Sequence, residues 1–173
     1  IKEKTDVIAS GFSSSFVIMA CMYDKECFNK LMLINPANLN RLSQSPTEKD
    51  RLYKFIVEMP IFGTLIYHMV VSRETISNLF IDKLYYNPFR ADQDIMDAYY
   101  EASHKGGYYA KYMYTSLVSK YMNINIRHVL STLDNSIYIV SGEEERNEVS
   151  IIEDYCKTNP SIETAIVKNS KHF

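Results

Sequence analysis

Tryptophan is absent from these 173 residues, and glycine, proline and cysteine are scarce, with 5, 5 and 3 copies. So little glycine and proline excludes a collagen-like fibre and a Pro/Gly-rich disordered tract. The cysteines, Cys21, Cys27 and Cys156, are odd in number and lack metal-ligand spacing. They exclude a disulfide-stapled scaffold and read as buried thiols of a reducing compartment, with the cytoplasm the simplest setting. Neither sign of charge dominates. The 19 Lys and Arg against 21 Asp and Glu leave a net charge of −2, which offers no electrostatic footprint for nucleic acid or an anionic membrane. Long apolar runs are missing as well. The most apolar stretch, Phe55 to Val71, is broken by Glu58, Pro60, Gly63 and His68, whereas a membrane span needs ~20 nearly uninterrupted apolar residues.

What is present is ordinary globular material. Hydrophobic residues make up 46% and charged residues 23% of the chain, enough for one domain with a real core. Tyrosine is abundant, with 14 copies, and such side chains more often pack at the edge of a core than line a pocket. The chain starts at Ile1 without a methionine, shows no leader pattern there, and stops one residue after His172. The expectation is therefore the C-terminal portion of a longer protein, cut at both ends.

Short apolar runs place buried parallel strands at Asp6 to Ser10, Lys30 to Ile34 and Ser136 to Ser141, with a fourth, mixed strand at Ile162 to Val167. Their composition suits strands covered on both faces by helices. Phe16 to Met22 reads as the helix between the first two. Arg146 to Lys157 reads as the helix between the last two, with Val149, Ile151, Ile152 and Tyr155 facing inward. β-α-β at both ends argues an α/β fold, a parallel sheet with right-handed crossovers.

Between about Asn38 and Met122 no strand signal appears. Helical segments follow one another, separated by Ser45-Pro46, Pro60, Asn87-Pro88 and Gly106-Gly107. Ser45 reads as a capping residue before Pro46 at the first helical position; Asp92 to Ser103 and Gly107 to Tyr121 read as two later helices. The division expected is a sheet domain from 1–37 and 123–173, with 38–122 inserted as a helical cap or lid over the strand ends.

The chemistry sits at those strand ends, where open parallel sheets bind ligands. Ser10-Gly11-Phe12-Ser13-Ser14-Ser15 follows the first strand and precedes a helix. A serine at such a corner stands clear of the backbone beside the free N–H groups of a helix N-terminus. Gly142-Glu143-Glu144-Glu145 follows the third strand, and Lys168-Asn169-Ser170-Lys171-His172 the fourth. Serine, acid and histidine thus share one edge of one sheet, in that chain order. The bland readings are a serine-rich helix cap, a solvated run of glutamates and a loop histidine. His68, His104 and His128 lie in helical stretches as packing or cap residues, and none is assigned to a metal.

The arrangement resembles the α/β-hydrolase superfamily, over essentially the whole chain, from the fifth strand of that fold to the loop after the eighth. Ser13 matches the nucleophile of G-x-S-x-G, with Ser15 in place of the final glycine. Glu145 falls where the family usually has aspartate, ahead of Glu143 and Glu144, and His172 matches the family's histidine. The resemblance implies that His172 takes the proton of Ser13 as it attacks an acyl carbonyl, and that Glu145 orients the imidazole. It implies one oxyanion donor from the N–H of Ser14 and a second from a loop upstream of Ile1. Each donor is typically worth ~10²–10³ in rate, so the segment alone is expected to be poorly active. The implied substrate is a small acyl or ester compound, with no cofactor and no metal; Tyr108, Tyr109 and Tyr112 could face the substrate. Two alternatives stay open: an acyltransferase of the same fold, and a non-catalytic hydrolase-like binding module.

Overall fold

The computed structural model describes residues 3–145 and 148–172. Four strands form one parallel sheet in the order β1-β2-β3-β4: β1 (Thr5–Ser10), β2 (Phe28–Ile34), β3 (Ser136–Gly142) and β4 (Glu163–Val167). The register sets Ile34 beside Ser10 on one side and Val140 on the other, and pairs Gly142 with Val167. All four strands therefore end along one edge, where the loops that follow them gather.

Helix α1 (Ser13–Tyr23) joins β1 to β2, and α2 (Leu39–Leu42) follows β2. A block of helices comes next: α3 (Glu48–Glu58), α4 (Phe62–Val70), α5 (Arg73–Leu79), α6 (Gln93–His104) and α7 (Ala110–Val118). Then α8 (Arg127–Ser131) leads into β3, and α9 (Glu148–Thr158) joins β3 to β4. The chain divides into two compact units, one holding the sheet with residues up to Ser43 and from Ile124 on, the other running Gln44–Asn123.

In the sheet unit, Leu31 and Leu33 of β2 and Ile137 and Ile139 of β3 are almost wholly buried against Ile18 and Cys21 of α1, Val129 and Leu130 of α8 and Tyr155 of α9. The helices of this chain cover one face of the sheet. Burial alternates along β2 and β3, β4 is exposed throughout, and Ile8 of β1 is 68% exposed. The period of two is what one covered face produces. The expectation for Val149 is corrected: the residue is 66% exposed, while Tyr155 is fully buried and donates its hydroxyl to the Ala37 carbonyl at 3.0 Å. Burial, reinforced by the charge of Asp154, pushes that hydroxyl well above its ordinary pKa. The expected start of this helix at Arg146 lies outside the described residues.

The helical unit differs in its helix starts. Ser45 does not cap α3; Thr47 does, accepting from the N–H of Asp50 while Asp50 accepts in return from the N–H of Thr47. This reciprocal box outcompetes Ser-Pro because it satisfies two orphan N–H groups at once. Asp92 caps α6. The helix expected from Gly107 to Tyr121 is shorter: Gly107–Tyr109 form a 3-10 turn ahead of α7. Among the described residues no helix is long and apolar enough to cross a membrane.

Candidate functional site

Gly142 closes β3, and the chain of residues 170–171 passes directly over it. A Cβ placed on Gly142 would lie 2.2 Å from the Lys171 carbonyl oxygen and 2.5 Å from that of Ser170. Only glycine allows that approach. The N–H of Glu143 donates to the Val167 carbonyl and that of Glu144 to the Ser170 carbonyl, each at 2.9 Å. The acid loop and the histidine loop are thereby zipped together by their backbones.

Asn35 pins both loops from beneath, a role the sequence reading missed. It is 8% exposed and adopts a left-handed φ of 43°, a conformation that asparagine tolerates better than most residues. Its Oδ1 accepts from the N–H of Gly142 at 3.1 Å, and its Nδ2 donates to the His172 carbonyl at 3.2 Å. An Asn directly after a strand and before Pro36 was the signal available.

These contacts bring Glu145 and His172 together. Nδ1 of His172 lies 3.2 Å from Glu145 Oε2, both side chains about three-quarters buried. Of the other two glutamates, Glu143 accepts from the N–H of Asn169 at 3.2 Å, and both are exposed. A carboxylate on Nδ1 selects the tautomer with its proton there, which leaves Nε2 as the basic nitrogen.

The third corner lies after β1. Gly11 stands between strand and helix with φ +57°. Its N–H donates to the Ile34 carbonyl at 2.8 Å, extending the ladder by one bond, while its carbonyl accepts from Ser14 at 3.4 Å. The His172 ring lies against this residue: the nearest atom that a Cβ on Gly11 would meet is His172 Cε1, at 3.8 Å.

Ser13 opens α1 rather than standing at the tip of the turn. Its Oγ donates to the Ser10 carbonyl at 2.7 Å, and the side chain is exposed. Ser15 donates to the Phe12 carbonyl at 2.7 Å and Ser14 to the Ala9 carbonyl at 3.3 Å; both are fully buried. The three hydroxyls are thus donors to carbonyls, not acceptors capping helix N–H groups. Elsewhere, His68 is exposed and stacks on His104 with centroids 5.2 Å apart, and His128 is exposed on α8. Among the described residues no group of three or more His, Cys, Asp or Glu is placed to hold a metal ion.

Neither a family model nor a curated protein matches the sequence. Solved structures do match its fold. A meta-cleavage product hydrolase from Pseudomonas fluorescens IP01 superposes with a TM-score of 0.67 at 16% identity, over 98% of this chain and 58% of its own. A 2-hydroxy-6-oxo-6-phenylhexa-2,4-dienoate hydrolase from Rhodococcus sp. strain RHA1 gives 0.65 at 16% identity over the same shares. A carboxylesterase from Nitrososphaera gargenis gives 0.61 at 14%, again over 98% and 58%. The fold is therefore that of the α/β-hydrolases, and this chain spans about 58% of the length of these structures.

Proposed function

We propose that this α/β-hydrolase-fold chain is part of a hydrolase cleaving an ester or related acyl bond, with His172 as the proton-transfer group and Glu145 as its partner. The observation that supports this reading is the 3.2 Å approach of His172 Nδ1 to Glu145, with the same ring laid against the β1–α1 corner. Glu145 holds the imidazole and stabilises the imidazolium. Nε2 removes a proton from the attacking hydroxyl and returns it to the leaving alcohol.

Ser13 is the hydroxyl that the sequence nominates. To attack, its Oγ has to leave the Ser10 carbonyl and rotate about χ1 toward Nε2. Backbone N–H groups at the head of α1, that of Ser14 included, would then meet the developing oxyanion. The same steps with an alcohol or amine in place of water make an acyl transfer, which product analysis with added acceptors separates from hydrolysis.

Hydrolysis of a chromogenic short-chain ester by the full chain tests the reading. His172→Ala is expected to lower kcat by roughly 10²–10⁴. Turnover unchanged in a folded His172→Ala chain would overturn it.

A further inference from the structure

We infer that the nucleophile's position at this site is held by Gly11, not by Ser13, so that His172 and Glu145 act on a water molecule without an acyl-enzyme intermediate. The inference rests on the hydrolytic reading above and changes its attacking group. A nucleophile presented on a strand-to-helix turn sits at the tip of that turn, in strained backbone, with its Cα–Cβ bond aimed at the histidine. In this chain each of those properties belongs to residue 11. Gly11 has the left-handed φ of +57°; Ser13 is not among the positive-φ residues. Gly11 takes the last ladder bond to Ile34 and sits two residues before the first residue of α1.

The direction of the missing side chain is the decisive point. A Cβ on Gly11 would come to ordinary van der Waals contact with His172 Cε1, at 3.8 Å. Cε1 is bonded to both ring nitrogens, and Nδ1 faces Glu145. An oxygen one bond beyond that Cβ would stand beside the imidazole ring. Ser13 instead points its hydroxyl back at the Ser10 carbonyl. The oxyanion donor moves with the assignment: the N–H following the corner is that of Phe12 rather than Ser14.

The chemistry balances without a serine. Nε2 takes a proton from water seated over Gly11, and the water oxygen bonds to the acyl carbon as the carbonyl electron pair moves to its oxygen. That pair then returns, the bond to the alkoxy group breaks, and the leaving oxygen takes the proton from the imidazolium. Acid and alcohol are the products, and no co-reactant is needed.

Two thiol probes on the full chain test this independently of turnover. A thiol beside an imidazole forms thiolate well below the ~8.5 of a free cysteine. In Gly11→Cys, alkylation by iodoacetamide, followed site by site by mass spectrometry, should persist at least two pH units lower than in Ser13→Cys. Adding His172→Ala should abolish that difference. A depressed profile in Ser13→Cys alone, or two indistinguishable profiles in folded chains, would overturn the inference. Ester turnover separates the two proposals. Depression at position 11 in a chain without hydrolysis supports the corner assignment while removing the hydrolytic reading, and turnover lost in Ser13→Ala would overturn the water mechanism.

Discussion

At the scale of single residues, the site depends on side chains that do no chemistry. Asn35 makes one bond to the acid loop and one to the histidine loop, and Gly142 lets the carbonyls of Ser170 and Lys171 pass where a Cβ would otherwise stand. Gly142→Ala has to displace backbone, because the atoms it meets are carbonyl oxygens rather than the ends of flexible side chains. It is expected to cost about 1–3 kcal/mol, the usual range for overpacking. Urea denaturation reads this, and a substitution without cost would contradict the close approach. The positions of Glu145 and His172 after β3 and β4 were legible in the sequence, since short apolar runs mark strand ends well. The phase of the β1–α1 turn was not. Gly11 is the residue of that turn best suited to a left-handed φ, and the match of Ser13 to a serine motif drew attention two residues past it.

At the scale of elements, strands were read more accurately than helix starts. All four strands begin within two residues of their expected positions, because short apolar runs mark them. Helix starts depend on which side chain reaches an N–H, and local competition decides that. Thr47 and Asp50 won over Ser45 by bonding reciprocally. Asp50 shows this in its ionisation. The Thr47 hydroxyl first, then the Thr47 N–H and Lys120, hold its carboxyl down to about 2 from an ordinary 3.8. A carboxyl depressed in the folded state contributes stability that is fully present above its unfolded value and lost as pH falls through the folded one. The thermal stability difference between the protein and Asp50→Asn should therefore narrow steadily from pH 4 to pH 2. A difference constant across that window, followed by circular dichroism, would show that the box does not hold the charge.

At the scale of the whole molecule, fold and site were legible to different degrees. Order along the chain, β-α-β at each end with helices between, was enough to expect an α/β sheet, and the superposed hydrolases share that fold. Apolar composition in β2 and β3 is that of doubly covered strands, and within this chain helices α1, α8 and α9 pack into one core against one set of their alternating residues. The account turns on two loops, 27 residues apart in sequence at Glu145 and His172, converging beside a third. Nitrogen NMR of the His172 imidazole in the full chain tests that convergence most directly. The account predicts the tautomer that carries its proton on Nδ1, with this preference lost in Glu145→Ala and kept in Glu143→Ala and Glu144→Ala. A tautomer indifferent to Glu145, or one governed by either neighbouring glutamate, would contradict it.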